Sequence, residues 1–182
     1  MRTVVMLAVF AAAYAQTSAL VRAIKENNMA MVNLALKSGV TGGVNAPVKD
    51  GENEAEPPLL MAVRTGKHKA LKALLKANKL DLDILDRDGL PVIHVAAGSR
   101  SLKVLTELLT KKLDPNHMHT DGLTPLHRAV LSGSTDVVKA LLNAEVPANQ
   151  PTAEGRLPSE LAGEDGAMLE VLKKFSRPKS EL

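Results

Sequence analysis

The sequence predicts an all-α solenoid of stacked helix-turn-helix units with short β-hairpin fingers. Three observations point there. The stretch from Asp121 to Gln150 reads as a turn followed by two short helices, and a pair that short cannot bury its apolar face without a neighbour of the same shape. Its opening dipeptide recurs, since Asp88-Gly89 and Asp121-Gly122 lie 33 residues apart. Finally, the 182-residue chain is 45% hydrophobic but only 2% aromatic, so its core must be built from Leu, Val, Ala, Ile and Met, which suit closely stacked helices.

The central unit can be derived residue by residue. Asp121-Gly122 supplies a turn, because Gly permits positive φ and the Asp carboxylate can hold its own backbone. Thr124 reads as a helix N-cap, with Pro125 at the first helical position, where a missing N–H does no harm. The helix runs through Leu126, Ala129 and Val130 and stops at Gly133, a left-handed terminator. A second helix opens near Ser134-Thr135, with Asp136 at its positive end and Val137, Val138, Leu141 and Leu142 on one face.

This stretch resembles an ankyrin repeat, whose pattern runs D-G-x-T-P-L-H-x-A-A-x-x-G before a second helix ending in Leu-Leu. Asp121, Gly122, Thr124, Pro125, Leu126, His127, Ala129, Gly133, Leu141 and Leu142 match it position by position. The resemblance implies a repeat domain over residues 16–175, with three recognisable repeats between two divergent caps.

Taken in order, Ser18–Leu36 is a divergent first repeat. Leu20, Ala23, Ile24, Val32 and Leu36 fill its apolar positions, Ser18 is its expected N-cap, and Asn27-Asn28 replaces the inter-helix glycine. Gly39–Pro57, with Gly42-Gly43 and the acidic run Asp50–Glu56, reads as a long exposed finger. The next unit keeps Pro58, Leu59, Ala62, Gly66, Leu74 and Leu75 but has Leu60 in place of His, and carries Lys67, Lys69, Lys72 and Lys76 around its second helix. In the following unit Pro91-Val92 stands where Thr-Pro is expected and Arg100 replaces the inter-helix glycine. The last unit retains Gly155, Pro158, Ala162 and Gly166, while Glu170 and Lys174 give it the polar side of a cap.

Several chemistries are excluded or disfavoured. There is no cysteine, hence no disulfide, thiol nucleophile or Cys-type zinc site. The net charge of +3 is scattered rather than gathered into a basic track, and stacking aromatics are scarce, so nucleic acid is not implied. No nucleophile elbow, phosphate loop or zinc-protease motif occurs, so no enzyme, cofactor or metal is expected. His117 and His119 alternate and could share a metal, but only Asp121 offers a third ligand, and an exposed contact surface is the better expectation. His94 and His127 occupy one repeat position; in the ankyrin pattern this His ties a turn to its neighbour by hydrogen bonds.

The resemblance implies a protein-binding face built from fingers and first helices, here Arg64, Thr65, Leu90, Gly98, Ser99, Met118, His119, Leu123, Leu131 and Ser132. Leu90, Met118, Leu123 and Leu131 stand out, because a solvated finger has no need of large apolar groups unless they pack between fingers. A non-catalytic monomer with a protein partner is expected.

The chain ends suggest a compartment. Residues 1–15 have an early cation, an apolar run from Val4 to Ala13 and Ala13-Tyr14-Ala15 before Gln16, the layout of a secretory signal peptide and too short to span a bilayer. The alternative is an extra apolar helix packed on the first repeat. Residues 176–182 form a tail whose Lys179-Ser180-Glu181-Leu182 resembles the K-D-E-L retention signal. Together they predict a resident of the endoplasmic reticulum lumen, with secretion or a cytoplasmic location as alternatives.

Overall fold

The computed structural model describes residues 2–38, 45, 48–50, 53–77, 80–111 and 113–176. The expected glycines of the first finger, Gly39, Gly42 and Gly43, and the tail after Ser176 lie outside the described residues. The chain divides into two compact units at Val92/Ile93, each of which is built from paired helices.

The first unit begins with α1 (Arg2–Lys25), pairs it with α2 (Met29–Lys37), passes through a hairpin of β1 (Val48–Asp50) and β2 (Asn53–Glu56), and closes with α3 (Pro58–Arg64) and α4 (His68–Leu74). Helix α1 runs unbroken through Ser18, so the expected N-cap there is not one. Nothing in that stretch breaks a helix, and its last turn carries Arg22 and Lys25, which favour the negative end of the dipole. Leu20, Val21, Ala23 and Ile24 are buried, as is Val32 of α2, whereas Leu36 is only partly covered. Asn27 takes φ +55°, the conformation expected of the missing glycine, and Asn28 caps α2 through Oδ1, 3.2 Å from the Met31 N–H. Helix α1 packs on α2 and α3, and α2 packs on α4. The hairpin pairs Val48 with Glu56 and Asp50 with Asn53 across an irregular register.

The second unit opens with α5 (Val92–Gly98) and α6 (Leu102–Leu109), continues with α7 (Pro125–Leu131) and α8 (Thr135–Asn143), and ends with α9 (Pro158–Leu161) and α10 (Gly166–Ser176). Its core is aliphatic: Val104, Leu105, Leu108, Leu126, Ala129, Val137, Val138, Leu141, Met168 and Leu172 are all buried. Arg100, standing for a glycine, takes φ +59°, and Gly133 takes φ +72°. The last pair departs from expectation. The left-handed residue is Gly163, at φ +57°, rather than Gly166, which starts α10. Asp165 explains the shift: its Oδ1 accepts the Met168 N–H at 3.0 Å, so the second helix starts early and α9 is cut to one turn.

Candidate protein-interaction surface

The fingers are built on one five-residue turn repeated at the 33-residue period. Asp86, His119 and Thr152 open it. Each donates its N–H to the carbonyl four residues on, at 3.0, 2.9 and 2.8 Å, and its carbonyl accepts from Gly89, Gly122 or Gly155. These three glycines take φ values of +76°, +78° and +82°, which is why the dipeptide needs a glycine. The opening residue also uses its side chain. Asp86 Oδ1 accepts the N–H groups of Asp88 and Leu90, and Thr152 Oγ1 accepts that of Arg156. Sequence reading missed this position, because three different polar residues fill it; the signal was their common spacing from Gly.

In the first unit, Arg64 fixes the turn from outside. Its Nε lies 2.9 Å from Glu56 at the end of β2, and its Nη2 lies 2.9 Å from the almost fully buried carboxylate of Asp86. A residue expected to meet a partner thus also spans hairpin and turn.

In the second unit, histidines fasten helices to fingers. Both His94 and His127 are fully buried. His127 Nδ1 accepts the Thr124 N–H at 3.0 Å, so Nε2 carries the proton and donates to the Gln150 carbonyl at 2.9 Å. At the third helical position His127 takes the part that Glu or Gln plays in a capping box, with Thr124 as the expected N-cap. His94 repeats the arrangement, with Nε2 2.9 Å from the His117 carbonyl. Its Nδ1 faces Arg128 Nε at 3.3 Å, and because a guanidinium can only donate, the tautomer is again fixed. Burial pushes His94 down to about 4, and the Arg128 cation adds to the effect. Burial lowers His127 too, opposed by its bond to the Gln150 carbonyl.

The rings of His117 and His119 meet that of His94 edge-on, at centroid distances of 5.8 and 5.9 Å. Both therefore lie on the side facing His94, as their alternation suggested. Among the described residues this finger has no strand, so it is not the β-hairpin expected, and its tip is Thr120-Asp121. His119 is not exposed either, its side chain being 11% accessible and 3.2 Å from Asp121. Burial opposes the charge of Asp121, yet the Leu123 N–H, His119 and Arg128 together hold its carboxyl below the ordinary value. Arg128 pairs with Asp121 through Nη2. Both ring nitrogens of His94 are thus occupied, and among the described residues no group of three or more His, Cys, Asp or Glu converges as a metal site.

The remaining candidates separate into two sets. Thr65, Ser99 and Ser132 turn their hydroxyls back onto the carbonyls of Met61, Ala96 and Ala129, so they close the first helices. Leu90 and Leu123, expected to be exposed, are half-buried at the turns. Met118 and Leu131 do stand out, at 39% and 55% accessibility, and Gly98 is exposed as well.

A sequence profile of ankyrin repeats matches residues 59–154 and 93–175, more than half of the chain. The chain belongs to the ankyrin repeat family. It is also similar to a probable serine/threonine-protein kinase of Dictyostelium discoideum, at 30% identity over 75 residues, which are 38% of this chain and 8% of that protein. The chain spans less than a tenth of that relative, and the likeness covers the repeats. Ankyrin repeats are an interaction fold, typically non-catalytic.

Proposed function

We propose that this chain is a non-catalytic protein-binding module whose contact face lies on the fingers and first helices of the second unit. The observation that carries this reading is the exposure of Met118 and Leu131, at 39% and 55%, on a frame whose neighbouring polar groups are already committed to internal hydrogen bonds. Large apolar side chains on such a rigid support are anchors at little entropic cost. Each could contribute about 1.5–3 kcal/mol when fully covered. The test is affinity capture with the native chain and with a Met118→Ser/Leu131→Ser double variant of unchanged melting temperature. A partner held by the first and lost by the second supports the face; equal capture by both refutes it.

The proposed compartment is the endoplasmic reticulum lumen, supported by the signal-like layout of residues 1–15 and the K-D-E-L-like Lys179–Leu182. One observation favours the cytoplasmic alternative: α1 continues without a break from Ala15 into Gln16, and Thr17 and Leu20 beyond it are buried. N-terminal sequencing with protease protection of microsomes separates the readings. A protected chain starting at Gln16 supports the lumen, the same start in the medium means secretion, and a digestible chain retaining residues 1–15 means cytosol.

A further inference from the structure

The first unit carries a charge asymmetry that the protein-binding face does not use. Helices α2 and α4, which pack side by side, bear Lys37, Lys69 and Lys72, with Lys67 and Lys76 at the ends of α4, and neither helix contains an acidic residue. Helices α6, α8 and α10 of the second unit, by contrast, interleave Lys with Glu107, Asp136 and Glu170. On α4 the buried residues are Ala70, Leu71 and Leu74. At 100° per residue, Lys69 and Lys72 fall on the opposite side of the helix, away from the core, and Lys76 follows in the turn after it. All three are exposed, as is Lys37, and none of the five lysines forms an ion pair among the described residues. On α2, Leu34 is 59% accessible and Met31 45%, Met31 lining a groove with Ala19, Arg22, Ala23 and Glu26 of α1.

We propose that this α2/α4 face docks on an anionic phospholipid surface. Exposed lysines with an exposed aliphatic group on the neighbouring helix match a bilayer interface: the ammonium groups reach phosphates while Leu34 enters the acyl boundary. The same composition disfavours a protein, since Lys is depleted from protein interfaces and the Trp, Tyr and Arg that anchor them are missing from both helices. A nucleic acid would call for stacking groups that the face also lacks. The contact is peripheral, because no helix among the described residues is long and apolar enough to cross a membrane. It rests on neither the protein-binding face nor the compartment proposed above.

The experiment is cosedimentation of the full chain with phosphatidylcholine vesicles containing about one-third phosphatidylserine, compared with pure phosphatidylcholine. Binding to the anionic vesicles alone, released at about 0.5 M salt, is expected. Lys69→Gln/Lys72→Gln/Lys76→Gln should weaken it by on the order of 100-fold, each surface charge contributing about fivefold. Leu34→Ser should weaken it several-fold, and Lys103→Gln/Lys139→Gln in the second unit should leave it unchanged. Circular dichroism confirms that each variant is folded. Absence of binding, equal binding to neutral vesicles, or undiminished binding by the folded triple variant overturns the proposal. So does tighter binding to a polyglutamate peptide than to vesicles, which would mean an acidic protein partner.

Discussion

His127 Nε2 lies 2.9 Å from the carbonyl oxygen of Gln150, 23 residues away, while the same ring accepts the Thr124 N–H. One buried side chain therefore starts a helix and anchors the next finger. His127→Ala leaves a buried donor and a part-buried acceptor without their partner and should cost about 1–3 kcal/mol in urea unfolding. Thr124→Ala should cost about 1 kcal/mol, and the double variant less than the sum of the two, because they share a bond. Strict additivity would contradict a shared network.

Acid should act through His94. Its folded value of about 4 lies below the ordinary 6.5, so between those limits the unfolded chain binds more protons than the folded one. Stability is then full above pH 6.5 and declines as pH falls towards 4. Urea midpoints of the native chain and His94→Gln, measured at neutral pH and near pH 4.5, provide the check. The variant should show the shallower decline, and parallel declines would remove His94 as the cause.

Two glycines with nearly equal φ should respond differently to alanine. At Gly122, φ +78°, an added Cβ would stand 2.4 Å from Ala153 Cβ, whereas at Gly155, φ +82°, it would meet nothing within 4 Å. Gly155→Ala should cost only the left-handed strain, about 1–2 kcal/mol. Gly122→Ala should cost clearly more, since the 152–156 turn must move. Thermal unfolding of the two variants decides it, and equal losses would mean the turn yields freely.

Arg100 offers a gain. At φ +59° it holds a conformation that glycine adopts without strain, so Arg100→Gly should stabilise the second unit by about 0.5–1 kcal/mol. A fall in the urea midpoint would show that the Arg100 side chain contributes more than its backbone costs.

What was legible in the sequence was the part written in local chemistry. Thr124, Pro125 and Gly133 announce a helix start and stop, and the 33-residue spacing announces the stack. Arg100 and Asn27 could be placed at left-handed positions because they stand where a repeat requires glycine. The site was less legible, since exposure depends on neighbours distant in sequence. Leu90 and Leu123 fill the turns that hold them, and His119 lies against His94 and Asp121. Asp165 moved the last inter-helix turn to Gly163 because a capping carboxylate outweighed the repeat period.

The unbroken course of α1 through Ala15 and Gln16 has a consequence for timing. Proteolysis needs exposed, unwound backbone, and here the bond lies inside a helix that docks on α2 and α3. Any removal of residues 1–15 must therefore outrun that docking. At about 5–20 residues per second, the ribosome delivers α3 within several seconds of α1. On the signal-peptide reading, processing would be a race during synthesis, and a chain that missed the interval would keep residues 1–15.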